Sequence, residues 1–189
     1  MKLVFATNNK NKLSEIKLLV PKDIRILSLK DIGCNETLPE TSLTLEGNSL
    51  QKAKFVYDNY GYNCFADDTG LEVDVLDGAP GVYSARYAGK ECIAENNINL
   101  LLKNLEGIKN RNAKFRTIIS LIIDGEKYKF EGSCLGNITS AKCGKLGFGY
   151  DPIFSPEGYN VTFAEMSKVQ KGKISHRGKA IEKLVAFFR

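Results

Sequence analysis

Residues 114–134, KFRTIISLIIDGEKYKFEGSC, predict a long β-hairpin. Two β-rich runs, 114–123 and 127–134, flank Asp124-Gly125-Glu126, in which Asp-Gly is a strong hairpin-turn dipeptide. Aromatic and charged residues alternate in the second run, so we expect it to have one buried face and one exposed face. Because a tight turn joins the two strands, their pairing is antiparallel.

Upstream of the hairpin, apolar strands and helices alternate along the chain. Residues 2–6 predict a short strand, and residues 12–20 follow with apolar side chains at helical spacing. Residues 24–29 predict a second strand, and residues 46–60 predict a helix ended by Gly61. This alternation together with the antiparallel hairpin predicts an α/β fold with a mixed sheet.

Three further segments carry most of the polar residues of interest. The polar residues 33–44 predict a long functional or mobile loop. Residues 63–67 predict a strand that runs into the turn-like sequence Asp68-Thr69-Gly70. A basic loop precedes the last helix, which we expect to begin at Lys179.

The composition indicates one globular domain over residues 1–189. The chain is 43% hydrophobic, which is enough to bury a core, and no apolar run is long enough for a signal peptide or a membrane span. The five cysteines are odd in number and contain no C-x-x-C pair, which disfavours a disulfide framework or a zinc site. We expect a soluble cytoplasmic protein with reduced thiols.

The charge is divided along the chain. Residues 1–30 carry a net charge of +5 and residues 168–189 carry +6, whereas the residues between them carry −6. Solvated faces of different composition would explain this pattern. Alternatively, the basic ends bind an anion while the acidic centre holds a cation beside it, as a metal-dependent phosphate enzyme requires.

The residues between the first strand and the first helix, TNNKNK at 7–12, are a candidate phosphate site. Amide groups at a helix N-terminus favour anions, and Lys10 and Lys12 add positive charge. The segment lacks the Gly-Lys-Ser/Thr pattern of a Walker A loop. An ordinary helix cap with surface lysines is an equally good interpretation.

Carboxylates that suit a cation lie in two places. Asp67 and Asp68 alternate along a strand, so Asp67 shares a side with Phe65, Asp68 lies on the opposite side, and one of them faces the site unless the chain turns. A carboxylate beside Mg²⁺ either holds the ion or accepts a proton from water, although paired acids also form plain turns. On the preceding helix Lys52 lies one turn from Asn48 and could reach a phosphate, although an exposed lysine on an amphipathic helix is the commoner case. Upstream, Glu40 is a candidate second oxygen ligand.

Two segments near the C-terminus suit a nucleobase. The glycines in GFGYDPIF, residues 147–154, let an aromatic ring and the backbone approach a flat ligand, although a tight turn with core aromatics fits equally well. The only histidine, His176, lies between Ser175 and Arg177, and this group would donate hydrogen bonds to the 6-keto oxygen of a purine and oppose the amino group of adenine.

Taken in order, these segments resemble the inosine triphosphate pyrophosphatase family, the XTP/dITP diphosphatases. The resemblance covers almost the whole chain through TNNKNK, ETSLTLEGNSLQKA, FADDTGLEVDVLDGAPGVYSARYAG, GFGYDPIF, TFAEMS and KGKISHRGKA. It implies an elongated mixed β-sheet flanked by helices in two lobes, with the active site in the cleft between them, and a homodimer. It also implies hydrolysis of ITP, dITP and XTP to the monophosphate and pyrophosphate, which keeps deaminated purines out of DNA and RNA.

The resemblance assigns roles to individual residues. Glu40 and Asp68 would bind Mg²⁺, and Asp68 would also be the base that activates water. The substrate would contact Thr7, Asn8, Asn9, Lys10, Asn11, Lys12, Lys52, Thr69, Phe148, Gly149, Tyr150, Asp151, Lys171, His176 and Arg177. The sequence departs from the commonest family pattern at Asn8 (often glycine), at Gly47 (often glutamate) and at Thr69 (often serine).

Three other functions compete with this one. A Maf-type pyrophosphatase would act on other nucleotides, but the SHR segment and FGYDPIF fit the purine family better. A nucleic-acid-binding module would use the basic ends, although no RNP-like aromatic strand or zinc knuckle is present. A nucleotide sensor without turnover is disfavoured because Glu40 and Asp68 are retained.

Overall fold

The computed structural model describes residues 1–189 and contains seven strands and five α-helices. The strands are β1 (Lys2–Phe5), β2 (Arg25–Leu27), β3 (Cys64–Val73), β4 (Pro80–Gly81), β5 (Asn112–Ile123), β6 (Glu126–Ile138) and β7 (Phe154–Pro156). The helices are α1 (Lys10–Leu19), α2 (Leu45–Tyr60), α3 (Ala94–Asn104), α4 (Lys168–Ile174) and α5 (His176–Phe187). No helix is both long enough and apolar enough to cross a membrane.

The strands form one mixed sheet in the order β2-β1-β3-β5-β6-β7, and β4 pairs with β3. β1 is parallel to both β2 and β3, whereas β4 is antiparallel to β3 and β7 is antiparallel to β6. The predicted α/β class and mixed sheet are therefore confirmed. Asp124 and Gly125 between β5 and β6 have φ angles of 51° and 86°, which is the left-handed pair that a type I′ hairpin turn requires.

The chain divides into two compact units. Unit 1 contains residues 1–68, 117–132 and 177–189, and unit 2 contains residues 69–116 and 133–176. Each unit has its own apolar core. The predicted position of the active site between two lobes stays a prediction.

The core of unit 1 lies on both sides of β1 and β3. Phe5 and Phe65 stack with ring centroids 4.7 Å apart and pack with α1 and α5, whereas Val4 and Ala66 on the opposite faces pack with α2. Because strand residues alternate between faces, the next two residues of β3 also point to opposite sides. Asp67 therefore lies on the side of α1 and α5, and Asp68 lies on the side of α2.

Three predicted boundaries and one predicted burial pattern are wrong. Helix α1 begins at Lys10, two residues earlier than expected, and β3 continues through Asp68-Thr69-Gly70 instead of turning there. The expected basic loop, 171–178, is largely helical, since α4 ends at Ile174 and α5 begins at His176. The expected buried face at the start of β6 is mostly exposed, and strict alternation begins only after residue 131.

Candidate active site

The polar segment after β1 forms the cap of α1. The side-chain oxygen of Asn9 accepts hydrogen bonds from the backbone amides of Asn11 (2.9 Å) and Lys12 (3.2 Å), and the Thr7 hydroxyl accepts one from the amide of Asn9 (3.2 Å). The amides expected to bind phosphate are thus paired within the segment. Lys10 and Asn11 are exposed, whereas the Lys12 side chain turns inward.

In unit 1, the buried carboxylate of Asp67 joins two cations. It accepts hydrogen bonds from Lys12 Nζ (3.0 Å) and Arg177 Nε (3.2 Å), and Arg177 also donates to Glu15 at 2.6 Å. Burial alone would raise the pKa of Asp67, but Lys12, Arg177 and Lys52 hold it well below its ordinary value. Asp67 therefore stays ionised and fixes the two cations that the sequence analysis assigned to the triphosphate and to the purine.

A second cluster of unit 1 surrounds the buried ammonium group of Lys52. Nζ lies 2.5 Å from Glu40 Oε1 and 3.1 Å from Asp68 Oδ1, and the other oxygen of Asp68 accepts a hydrogen bond from the Asn48 amide at 3.3 Å. Asn48 and Lys52 share the buried face of α2, as their spacing predicts. The structure thus brings together the two carboxylates proposed as metal ligands, although they are far apart in sequence.

The surroundings of Asp68 favour a role as a base. Burial raises the pKa of Asp68 despite the opposing effect of Lys52 and Lys12. A carboxylate with a raised pKa accepts a proton more readily. Burial alone would lower the pKa of Lys52, but Asp68, Asp67 and Glu40 offset this effect and raise it, so Lys52 remains a cation.

The carboxylates of Glu40 and Asp68 are suited to binding Mg²⁺. Carboxylate oxygens are its preferred protein ligands, and Mg²⁺ is commonly held by one or two carboxylates together with substrate phosphates and water. Glu40 and Asp68 already converge on a cation, the Lys52 ammonium group. No group of three or more His, Cys, Asp or Glu side chains suited to a metal is found in the chain, so phosphate and water oxygens would complete the coordination.

Unit 2 holds a separate group of candidate residues around Lys171. Its buried ammonium group lies 2.6 Å from Asp151 Oδ2 and is 4.9 Å from the ring centroid of Phe148 and 5.5 Å from that of Phe163. The same Asp151 oxygen accepts a hydrogen bond from the Phe148 amide at 2.9 Å. Asp151 therefore fixes both a cation and the loop that carries the Phe148 ring.

Among the remaining candidate residues of unit 2, His176 and Tyr150 have structural contacts as well. The His176 ring stacks on Phe115 with centroids 4.5 Å apart. Tyr150 is buried, and its hydroxyl donates to the carbonyl oxygen of Ser84 at 2.9 Å. Gly149 is half buried at a φ of 59°, and Thr69 is half buried in β3.

The sequence prediction named most of the residues in these clusters. It gave no role to three residues that contact them. Glu15 and Asp67 were not assigned roles, although both pair with Arg177, and Phe115 supports His176. Alternation on β3 and the position of Glu15 one turn after Lys12 were the only available signals. Both acids lie more than 100 positions from Arg177 in the sequence, so no local pattern indicates these pairs.

Sequence comparisons place these residues in a known context. The model of the Ham1 family matches residues 3–187. A dITP/XTP pyrophosphatase from Flavobacterium johnsoniae is 57% identical over 185 residues, covering 98% of this chain and 96% of the relative. A second one, from Flavobacterium psychrophilum, is 56% identical over 189 residues and covers both chains completely.

Solved structures show the same fold. The Ham1 protein of Staphylococcus aureus matches with a TM-score of 0.89 and 40% identity, over 100% of this chain and 98% of that one. A HAM1 protein from Coxiella burnetii matches with a TM-score of 0.90 and 34% identity, over the same shares of both chains. The similarity thus extends through every segment that carries a candidate residue.

Proposed function

The chain belongs to the Ham1 family, and on this premise we propose that it hydrolyses the non-standard purine nucleoside triphosphates ITP, dITP and XTP to the monophosphate and pyrophosphate. Removing these nucleotides would keep deaminated purines out of DNA and RNA. The observation that carries the proposal is the convergence of Glu40 and Asp68 on the buried Lys52. Two carboxylates beside a fixed cation suit the hydrolysis of a phosphoanhydride.

In the proposed reaction, Asp68 orients a water molecule and accepts its proton as the water oxygen bonds to the α-phosphorus. The bond from that phosphorus to the α–β bridging oxygen breaks, and pyrophosphate leaves. Lys52 and Lys12, each held by a carboxylate, offset negative charge on the triphosphate. Mg²⁺, held by Glu40 and Asp68, would supply further positive charge to the phosphate oxygens.

The family resemblance assigns purine recognition to His176 and Arg177 and a substrate contact to Lys171. Arg177 is held by Asp67 and Glu15, and Lys171 is held by Asp151, so their directions are set before a ligand binds. Fixed donors favour a 6-keto oxygen and oppose a 6-amino group, because a mismatched buried pair leaves polar groups unsatisfied. We therefore propose a preference for inosine and xanthosine over adenosine. A homodimer, which the family resemblance implies, and a cytoplasmic location, which the composition favours, stay predictions.

The test is pyrophosphate release from ITP, XTP, GTP and ATP, with and without Mg²⁺. We expect metal-dependent release from ITP and XTP far above that from ATP, whose 6-amino group the fixed donors oppose. Asp68→Asn should lose most of its turnover and keep its fold and much of its substrate binding. The matched control is Asp58→Asn, since the Asp58 side chain is 55% exposed on α2 and pairs only with Lys54 at the surface.

Two results would contradict the proposal. Release at the wild-type rate by Asp68→Asn would remove Asp68 from the mechanism. No release from any of the four nucleotides would favour a nucleotide sensor over an enzyme.

A further inference from the structure

The loop that carries Glu40, residues 33–44, is attached to α2 at several points. The carboxylate of Glu36 accepts a hydrogen bond from the Tyr60 hydroxyl near the end of that helix. Closer to Glu40, the Thr41 amide donates to the Gln51 side chain at 3.0 Å, and Gln51 donates back to the Thr41 hydroxyl at 2.9 Å. The Ser42 amide donates to Asn48 at 2.8 Å. We call this segment the Glu40 loop.

On its other side the Glu40 loop is attached to the cap of α1 by a single side chain, that of Asn8. The Asn8 amide group donates to the carbonyl oxygen of Glu36 at 3.3 Å, and its oxygen accepts from the amide of Leu38 at 3.3 Å. The side chain thus pairs with two backbone groups as a neighbouring strand would. Leu38 itself is buried in the core beside α2 and lies two residues before Glu40.

We infer that Asn8 is a positioning residue, which holds the Glu40 loop against the cap of α1 and so sets how tightly Glu40 binds the divalent cation. The inference rests on the metal role given to Glu40 under the proposed function. It gives Asn8 a different task from the direct contact with the triphosphate that the family resemblance implies.

The two hydrogen bonds of the Asn8 side chain suit an amide group at this position. One end of the bridge is a donor and the other an acceptor, and among small side chains asparagine supplies the two on separate atoms, whereas a serine hydroxyl carries both on one oxygen. Alanine supplies neither, and aspartate supplies no donor. The Glu40 side chain is 40% exposed, so its carboxylate is held mainly by Lys52 and by the course of its loop. Loosening the loop on its α1 side would let Glu40 shift relative to Asp68.

The test measures metal binding directly, with Mn²⁺ as the probe and its electron paramagnetic resonance signal as the readout. The protein is saturated with an α,β-imido analogue of ITP, which cannot be cleaved at the α–β bond. We expect Asn8→Ala to weaken Mn²⁺ binding about tenfold, the lower end of the range for residues that orient metal ligands. Hydrogen exchange at the Leu38 amide should also become faster. Asn35→Ala is the matched control, because Asn35 lies in the same loop and donates only to Gly33 at 3.4 Å.

A double-mutant cycle with Glu40→Gln separates this role from direct substrate contact. If Asn8 acts through Glu40, Asn8→Ala should have little further effect on Mn²⁺ binding in the Glu40→Gln protein. Unchanged Mn²⁺ binding in Asn8→Ala, or an equal loss in both backgrounds, would overturn the inference. Pyrophosphate release by the wild type is assayed in parallel. Its absence would contradict the proposed function, whereas the Mn²⁺ result alone decides the role of Asn8.

Discussion

At the scale of single residues, Asp67 and Asp68 show how one step along a strand separates two functions. Asp67 faces Lys12 and Arg177 and is completely buried, so its carboxylate serves to hold two cations. Asp68 faces Lys52 and Glu40, with a raised pKa that suits proton transfer. The alternation of the strand therefore gives one acid a structural role and places its neighbour where the proposed function needs a base.

The first prediction at this scale concerns the stability provided by Asp67. Asp67→Asn removes the charge and keeps the shape, which leaves Lys12 and Arg177 without their shared counter-ion. Removing one partner of a buried ion pair typically costs about 3–5 kcal/mol, and we expect a loss of this size in the free energy of unfolding by urea. Asp58→Asn at the surface of α2 should change it by less than about 0.5 kcal/mol. A loss for Asp67→Asn as small as that of the control would show that the cations find other partners.

At the scale of elements, the start of α2 packs closely against the Glu40 loop at Gly47. A Cβ atom at Gly47 would lie 1.9 Å from Ser42 Oγ and 2.5 Å from Ser42 Cβ, so rotation of the serine cannot relieve the clash. Asn48, the next residue, accepts the hydrogen bond from the Ser42 amide. The glutamate that is common at position 47 in the resembled family would therefore require a different course of the loop in this chain.

The close contact between Gly47 and Ser42 predicts that replacing this helix glycine with alanine lowers the stability of the protein, the opposite of the usual effect. Gly→Ala within a helix is usually stabilising by roughly 0.5–1 kcal/mol. We expect Gly47→Ala to destabilise the protein by about 1–3 kcal/mol, as overpacked sites do, in a urea unfolding measurement. Adding Ser42→Gly should recover most of the loss because it removes the atoms that clash, whereas Lys54→Ala on the exposed face of α2 should have little effect. A neutral or stabilising Gly47→Ala would mean that the Glu40 loop moves freely.

Two segments, 68–70 and 171–178, were predicted wrongly because tertiary contacts override local preference. Asp68-Thr69-Gly70 has the composition of a turn, but β3 continues through it and pairs Leu71 with Gly81. Gly70 permits this pairing, since a Cβ there would lie 2.6 Å from the Gly81 carbonyl oxygen. The glycines at 172 and 178 likewise disfavour helix, yet α4 and α5 form around residues fixed by buried contacts.

At the scale of the whole molecule, the structure changes how the positive charge near the two ends of the chain is interpreted. Residues 1–30 and 168–189 contain fourteen Lys and Arg residues. Three of these, Lys12, Lys171 and Arg177, are ion-paired with carboxylates of their own unit and are largely withdrawn from solvent. The charge of these three candidate residues is thus committed to local ion pairs and does not contribute to a general nucleic-acid surface, whereas Lys10 is exposed.

The last prediction follows from this commitment. A single-stranded RNA of about 20 nucleotides, at an ionic strength of about 0.15 M, should not compete with ITP for the protein. The measurement is the rate of ITP hydrolysis at increasing RNA concentration. Inorganic pyrophosphate, the proposed product, is the positive control for competition. Inhibition by stoichiometric RNA that disappears steeply with added salt would revive the nucleic-acid interpretation.

The sequence by itself determined the α/β class, the hairpin with its Asp-Gly turn, the opposite directions of Asp67 and Asp68, and the segments that carry the candidate residues. These features depend on the local period of apolar residues, on turn chemistry and on ordered motifs, all of which are written along the chain. Only the tertiary structure decided that Glu40 and Asp68 converge on Lys52, that Asp67 and Glu15 hold Arg177, and that Asn8 bridges to the Glu40 loop. Those pairings join residues that are 12 to 162 positions apart, and they form because buried charges and backbone groups require partners that only packing can supply.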